Sequence, residues 1–207
     1  VTIGRINIGL LNRIIIDDVL LDDQDEQEML KVTRLSAKFD IMPFFKGKIS
    51  ISSVQLFGFN INLRKETPDS PPNFKFVLDA FASKDTVKKE NSLDLRINSI
   101  LIRRGRMSYH VLSEEETPGK FNAKHIQLQN IIANISLKAL SKDSLNLGIK
   151  RLSLDEKASG FSLKKMSLKL VANNKQTNID NFTIELPETS LKLDTIHLEL
   201  SLIHISE

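Results

Sequence analysis

The chain has 207 residues, of which 41% are hydrophobic and 27% charged, so it can bury apolar surface and does not have the composition of a disordered protein. Its 29 basic and 26 acidic residues leave a formal net charge of +3, which argues against nucleic-acid binding because such proteins concentrate a basic excess on one face. The absence of Cys excludes disulfides, thiol nucleophiles and Cys-ligated zinc, and fits a periplasm as well as a cytosol.

Neither an anchor nor a leader is visible in the sequence. No uninterrupted apolar run approaches the ~20 residues that a membrane-spanning helix needs, and no segment has the charged and apolar regions of a signal peptide. The chain begins with Val1 and not with Met. We therefore expect an internal fragment whose targeting segment lies upstream.

The dominant pattern is the alternation of apolar and polar residues with period two, which is typical of strands with one apolar face. One longer motif recurs, in which two apolar-x-apolar pairs are separated by two further residues. In chain order its copies lie at Ile14, Ile16, Val19, Leu21; Ile49, Ile51, Val54, Leu56; Leu95, Ile97, Ile100, Ile102; Phe121, Ala123, Ile126, Leu128; Leu147, Ile149, Leu152, Leu154; Phe161, Leu163, Met166, Leu168; Ile179, Phe182, Ile184 (a partial copy); and Leu191, Leu193, Ile196, Leu198.

The two residues between the pairs would turn a regular strand onto its other face, unless a β-bulge absorbs the extra residue. We therefore predict long, bent strands that keep all four apolar side chains on one side. The later copies follow one another at the distance of one strand plus a short turn, which predicts an antiparallel meander.

The segments between the early copies have other signatures. An acidic run lacks the Gly and the spacing of a calcium loop, which predicts a solvated acidic loop; its members are Asp17, Asp18, Asp22, Asp23, Asp25, Glu26 and Glu28. In "FDIMPFFKGK", Pro43 and Gly47 predict one helical turn. In "PPNFKFVLDAFASKD", an i, i+3, i+4, i+7 pattern predicts a short amphipathic helix with Asn73 as a candidate N-cap; its members are Phe74, Val77, Leu78 and Phe81.

Further along, "IRRGRMSY" around Gly105 predicts a tight hairpin between a strand ending near Ile102 and one restarting near Met107. The basic residues of this segment, Arg103, Arg104 and Arg106, would then lie in a solvated turn. The other loops carry ordinary turn residues and none resembles a domain linker.

Candidate chemistry is sparse. The four His residues are scattered singly, without the helical or hairpin spacing to a carboxylate that makes a zinc or catalytic set; they are His110, His125, His197 and His204. No Gly-x-Ser-x-Gly motif and no Gly-rich phosphate loop occurs. We therefore predict a protein without catalytic residues, metal or cofactor.

What remains is the aliphatic face itself. Leaving a large Ile or Leu side chain in water forgoes roughly 1.5 to 3 kcal/mol, so the face must be covered by something. A second sheet would give a closed sandwich, whereas a single curled sheet would form a trough covered by acyl chains. The short meander steps and the lack of Trp favour the trough, but periodicity does not separate the two.

One family resembles these residues. The stretch "LKVTRLSAKFDIMPFFKGKISISSVQLFGFNINLR", from Leu30 to Arg64, resembles a module near the N-terminus of the AsmA-like superfamily, made of a strand, a short "P-h-h-x-G" turn, a strand and "V-x-L-x-x-x-x-h-x-h". The segment "RINSILIRRGRMSYHV" resembles the hairpins that follow. The resemblance covers residues 1–199 and is greatest to TamB-type (translocation and assembly module) proteins of a Bacteroidales-like Gram-negative bacterium.

The resemblance implies a mainly β, elongated antiparallel meander curled into a hydrophobic groove, with one or two short helices. It also implies a periplasmic body anchored to the inner membrane, which binds phospholipid acyl chains and works with an outer-membrane assembly partner in phospholipid transport and outer-membrane biogenesis. The anchor and the C-terminal domain that separate TamB from other AsmA-like members are absent, so the subfamily stays open.

The family has no catalytic residues, and its groove-lining role maps onto the apolar members of the repeated motif: Ile49, Ile51, Val54, Leu56, Leu95, Ile97, Ile100, Ile102, Phe121, Ile126, Leu128, Leu147, Ile149, Leu152, Leu154, Leu163, Met166 and Leu168. The alternative function is a scaffold, chaperone-like or adhesive β-protein that presents strand edges to a client and carries no lipid. The segment 200–207, "LSLIHISE", resembles read-through of a sequencing adapter, which predicts a non-native and poorly packed tail.

Overall fold

The architecture is built on one β-sheet. A computed structural model of the protein describes residues 1–10, 12–40, 51–82, 98–140 and 144–199. Their strands are β1 (Thr2–Gly9), β2 (Arg13–Asp22), β3 (Glu28–Phe39), β4 (Ile51–Lys65), β5 (Ser99–Val111), β6 (His125–Leu140), β7 (Ser144–Glu156), β8 (Ser162–Asn173), β9 (Gln176–Glu185) and β10 (Ser190–Glu199). A helix, α1 (Lys75–Ala82), lies between β4 and β5.

The ten strands pair side by side in the order of the chain. This confirms the predicted mainly β, curled meander, and within the ranges that the structure describes the sheet is not closed into a barrel. One pair departs from the antiparallel rule, since β5 runs parallel to β4. Parallel neighbours need a crossover of a dozen or more residues, usually with a helix, and the chain from Glu66 to Asn98, which contains α1, supplies it.

The predicted bends are found in five strands as left-handed backbone at a step between apolar pairs, which we call the kink of those strands. A register shift, as a bulge requires, accompanies the kink in β5, β6 and β9, whereas β2 and β4 pass through their kinks in register. Positive φ at the second residue of the step rotates the chain, so that the next apolar side chain returns to the same face. Asp18 and Asn181 lie at the predicted steps, whereas those of β4, β5 and β6 come one apolar pair further along. The kink residues and their φ values are Asp18 (56°), Gly58 (64°), Arg104 (55°), Asn130 (54°) and Asn181 (52°).

The core lies beside these kinks. Val32, Phe59 and Ile131 form a buried cluster. The partly buried side chains packed against it come from both sides of the kinks, which places all of them on one face of the sheet: Val19, Leu30, Leu35, Leu56, Ile61, Ile102, Met107, Leu128 and Leu154. No large side chain of the described ranges is less than 2% exposed, as expected where one layer has no second layer against it.

Gly105 corrects the predicted hairpin. β5 runs without interruption from Ser99 to Val111, so Gly105 lies in mid-strand and the neighbouring arginines lie on a strand, not in a turn. A Cβ atom at Gly105 would lie 2.3 Å from the ring of Phe59. The glycine is therefore needed for the close approach of an aromatic ring from the adjacent strand and not for a turn.

The predicted amphipathic helix is confirmed as α1, but Asn73 does not cap it. The Asn73 side chain accepts a hydrogen bond from the backbone N–H of Arg64 at 3.0 Å and donates one to the carbonyl of Asn62 at 3.1 Å. It therefore fastens the start of the crossover to β4. Among the described residues no helix has the length and hydropathy to cross a bilayer. The predicted helical turn at Pro43 and the tail 200–207 lie outside the described residues.

Candidate functional site: an apolar sheet face

The register of the strands builds apolar rows that cross the sheet at right angles to the chain. One of them, the central row, crosses all ten strands without a polar residue. In strand order it consists of Ile6, Ile16, Leu35, Leu56, Ile102, Ala133, Leu152, Met166, Ile184 and Leu191. We call the side of the sheet that carries this row the apolar face.

Further rows flank the central row on the same face. A second row runs over the first eight strands as Ile8, Ile14, Ala37, Val54, Ile100, Ile135, Ile149 and Leu168. Shorter rows lie beyond these two, namely Leu21, Leu30, Ile61, Met107 and Leu128, and Leu137, Leu147, Leu170, Ile179 and Ile196. The apolar face is thus a continuous aliphatic surface.

Most of the predicted lining residues stand on these rows. The central row contains Leu56, Ile102, Leu152 and Met166, and the second row contains Val54, Ile100, Ile149 and Leu168. Leu128 and Leu147 belong to the shorter rows, Leu154 pairs with Leu163, Ile126 with Tyr109, and Ile51 with Phe39. Ile49, Leu95 and Ile97 lie outside the described residues.

Phe121 is not on the sheet. It lies in the loop between β5 and β6 and is 65% exposed, so its predicted place on a one-faced strand is wrong. The reason is local, because Pro118 and Gly119, the latter at φ 78°, turn the chain immediately before it. The strand begins only at His125.

Exposure varies along the central row. Ala133 in the middle of the sheet is 2% exposed, whereas Ile6 on β1 is 61% exposed and Leu191 on β10 is 48% exposed. Side chains in the middle of the sheet are covered by neighbours from the strands on both sides, whereas β1 and β10 have a described neighbour on one side only. The apolar surface is therefore most accessible toward the two outer strands.

The opposite face is mainly polar, although single apolar residues such as Phe57 and Leu101 also lie on it. Asp17 and Arg34 form an ion pair with Oδ1 and Nε 2.6 Å apart, and the hydrogen bond and charge of Arg34 hold the pKa of Asp17 below its usual value. Arg34 is the register partner of Phe57, whose ring lies 5.2 Å from the guanidinium carbon of Arg104. Charged groups and one cation–π contact thus face the solvent behind the apolar rows.

Two buried carboxylates fix turns at the ends of strands by accepting hydrogen bonds. Glu156 accepts hydrogen bonds from the hydroxyl of Ser159 at 2.5 Å and from the backbone N–H groups of Ser159, Gln127 and Ala158 at 2.7 to 3.2 Å. Burial alone would raise the pKa of Glu156, but these hydrogen bonds outweigh it and lower the pKa to about 2. The ionised carboxylate thus joins the ends of β6 and β7 to the turn that follows.

Asp23 performs the same task at the turn between β2 and β3. Its Oδ1 accepts the backbone N–H groups of Asp25 and Gln27, and its Oδ2 lies 3.0 Å from both Asn73 Nδ2 and an Arg64 nitrogen. Burial would raise the pKa of Asp23, but these hydrogen bonds and the charge of Arg64 lower it. The prediction that the whole acidic run is solvated is wrong for Asp23, whose carboxylate is buried.

The structure brings together two histidines that the sequence reasoning treated as isolated. His110 on β5 and His125 on β6 are register partners, and Glu116 lies beside them. The pairing was missed because a loop of thirteen residues, from Leu112 to Lys124, separates the two strands, and no spacing rule fixes the register across such a loop.

Comparisons with known proteins leave the family open. No protein-family model matches the chain, and no curated protein gives a significant match.

Proposed function

We propose that the apolar face binds the acyl chains of phospholipids, and that the protein is a passive lipid conduit of the cell envelope. The observation that carries this proposal is the central row, which extends over all ten strands on one face, with no second sheet against it in the ranges that the structure describes. A non-directional aliphatic surface complements a ligand without hydrogen-bonding groups.

The dimensions support the proposal. Neighbouring strands lie about 4.8 Å apart, so a row over ten strands runs on the order of 40 Å. One leaflet contributes roughly half of a hydrocarbon core that is about 30 Å thick, so the row is long enough for more than one acyl chain. When an acyl chain covers a half-exposed Leu or Ile side chain, the free energy of binding gains a part of the roughly 1.5 to 3 kcal/mol that full burial of the side chain contributes.

The resemblance to AsmA-like proteins agrees with this use of the sheet. The described residues of the stretch that carries it, 30–40 and 51–64, belong almost entirely to β3 and β4, and these strands supply Val32 and Phe59 of the core cluster. We propose on this basis an AsmA-like or TamB-type protein in the periplasm, anchored to the inner membrane through a segment upstream and serving phospholipid transport and outer-membrane biogenesis.

Photo-crosslinking tests the proposal on the full chain, exported to the periplasm of a Gram-negative host. A photoreactive amino acid at Val54 or Ile100, both in the second row, is expected to capture phospholipid that mass spectrometry identifies. The matched controls are Gln55 and Leu101, which are each other's register partners and alternate with the row, so they lie on the opposite face. Leu101 is the sharper control, because it is as apolar as the test positions.

The outcomes separate the proposal from its alternatives. Lipid adducts at Val54 and Ile100 but not at Leu101 support a lipid-binding apolar face. Equal capture on both faces indicates nonspecific partition, and a folded protein without adducts at either test position contradicts the conduit.

A second candidate is a scaffold that pairs with a partner strand. Within the described residues, the outer edges of β1 and β10 face no further strand, and Ile8 on β1 is 88% exposed. Unpaired edges are templates for strand addition. Hydrogen exchange of the β10 amides, measured with and without a periplasmic extract, tests this function. Protection of these amides only in the presence of the extract, together with an absence of lipid adducts on the apolar face, would favour the scaffold.

A further inference from the structure

The histidine pair at the end of the β5–β6 hairpin has the geometry of a metal site. The Nδ1 atoms of His110 and His125 lie 3.0 Å apart, and Glu116 Oε1 lies 3.9 Å from His110 Nδ1. The candidate ligand atoms of all three residues lie within 4.8 Å of one another. Two imidazoles and a carboxylate converge here on one point.

The backbone holds the three groups together independently of their side chains. The N–H of Val111 donates to the carbonyl of Lys124 at 2.9 Å, and the N–H of Glu114 donates to the carbonyl of Val111 at 3.0 Å. The first bond closes the hairpin at the two histidines, and the second folds the loop back so that Glu116 reaches them. The site therefore joins β5, β6 and their loop.

The orientation of His125 is already that of a ligand. Its Nε2 lies 2.8 Å from the carbonyl oxygen of Glu114, an atom that only accepts hydrogen bonds, so Nε2 carries the proton. Nδ1 is then the acceptor of the 3.0 Å hydrogen bond with His110 Nδ1, whose proton a metal ion between the two nitrogens would replace. Metal-bound histidines commonly donate their second ring N–H to a backbone carbonyl or a carboxylate in this way. His125 is also buried, so the ring is held before any ion binds.

We propose that His110 Nδ1, His125 Nδ1 and the Glu116 carboxylate bind a divalent transition-metal ion of the Zn²⁺ class, with water as the remaining ligand. Zn–N distances of about 2.0–2.1 Å in a tetrahedral site separate two nitrogens by about 3.3 Å, close to the separation found here. The Glu116 side chain is 61% exposed and is free to move the remaining distance to the ion.

Space for the water ligand lies next to the imidazole. A cavity of about 310 Å³ opens beside the site and is lined by Glu116, His125 and Gln127, among others. Because the ion would link three chain segments that are separate in sequence, its binding stabilises the folded hairpin. This role is independent of the proposed lipid binding on the apolar face.

The test is zinc binding by the purified full chain after removal of metals with EDTA. Isothermal titration with zinc chloride is expected to give one ion per chain, and cobalt(II) is expected to give the intense visible absorption of a tetrahedral site. His110→Ala and Glu116→Gln are each expected to weaken zinc binding by about tenfold or more. His197→Ala on β10 is the matched control, since His197 also lies near a carboxylate, that of Glu199 at 3.2 Å, and its removal is expected to leave binding unchanged.

Circular dichroism establishes that each variant is folded, and the exposed Glu116 provides a variant that does not threaten the fold. Loss of binding in His110→Ala and Glu116→Gln but not in His197→Ala supports the site. Absence of stoichiometric zinc binding in the folded wild-type chain, or unchanged binding in both site variants, overturns it.

Discussion

The two halves of the sheet differ in how they keep their apolar side chains on one face. In the first half, from β1 to β5, the kinks of β2, β4 and β5 lie at the same level of the sheet. Ile16 pairs with Leu35 on one side of the step and Val19 with Val32 on the other, without a register shift between them. From β6 to β9 the extra residues are staggered, and each pair of strands shifts register, as between Ile149 and Leu152.

The difference has a mechanical meaning. Coinciding kinks bend the sheet along one line and leave the ladders in register at that line, whereas a bulge on one strand alone increases the local twist. Two residues of the buried cluster, Val32 and Phe59, lie beside the coinciding kinks, and the third, Ile131, lies on the adjoining strand β6. We infer that the first half is a rigid bend of the sheet with a core beside it. The second half is a twisted surface that is stabilised mainly by the backbone hydrogen bonds between its strands.

The largest expected effect comes from the core of the first half. Phe59→Ala removes the ring that covers Gly105 and contacts the cluster, and is expected to lower the free energy of unfolding by about 3 kcal/mol. Phe182→Ala on β9, which is only partly buried, is expected to cost clearly less. Urea denaturation measures both, and equal losses would remove the distinction between the halves.

Crowding at two mid-strand glycines, one in each half, sharpens the comparison. Gly105→Ala places a Cβ 2.3 Å from the Phe59 ring and is expected to cost about 2 kcal/mol. Gly148→Ala, on β7, places a Cβ 2.6 Å from the Ser136 hydroxyl, which can rotate away at the loss of its hydrogen bond to the Gly148 carbonyl, and is expected to cost less. The double variant Gly105→Ala, Phe59→Leu should recover part of the loss, and simple additivity of the two changes would contradict the contact.

The strongest acid sensitivity of a single group is expected at Glu156, in the second half. The folded pKa of Glu156 is about 2 against an ordinary 4.5, so its contribution is complete above about pH 4.5 and is lost as the pH falls toward 2. Glu156→Gln is expected to cost about 1–3 kcal/mol at neutral pH and to flatten this acid limb of the stability curve. Glu188→Gln in the exposed turn before β10 is the control, and an unchanged acid limb in Glu156→Gln would contradict the assignment.

The smallest effect is expected at the kink itself. Arg104→Gly relieves a positive φ of 55° while it removes the contact with Phe57, so the free energy of unfolding should change by less than about 0.5 kcal/mol. Arg103→Gly, one residue earlier in ordinary strand backbone, is expected to cost about 1 kcal/mol. Similar losses in the two variants would mean that the kink is not a left-handed position in solution.

The faces of the sheet could be predicted from the sequence, because the spacing of apolar residues such as Leu152 and Leu154 depends only on the local geometry of a strand. Gly58 and Asn130 also agree with the observed kinks, because Gly and Asn adopt a positive φ more readily than other residues. In contrast, Gly105 was interpreted as a turn residue, since nothing local reveals that a ring from another strand lies against it.

The candidate metal site and the parallel pair could not be predicted for a related reason. Both depend on which strands become neighbours and in what register, which is decided by tertiary packing. The distance in sequence between His110 and His125 is compatible with many registers. The long segment before Ser99 likewise does not determine beside which strand, or in which direction, β5 enters the sheet. Phe121 fits the repeated motif by residue type, but the turn at Pro118 and Gly119 places it in the loop before β6 and not on a strand.

The parallel pairing of β4 and β5 has a consequence for the order of assembly. Among the described strands, every other neighbour pair is joined by at most thirteen residues, so the entropy lost on closing each of these connections is smaller than for the crossover. Pairing β5 with β4 requires the crossover from Glu66 to Asn98 to close first. We expect two hairpin blocks, β1–β4 and β5–β10, to form early and to join last along this seam, which makes their docking the slow step of folding.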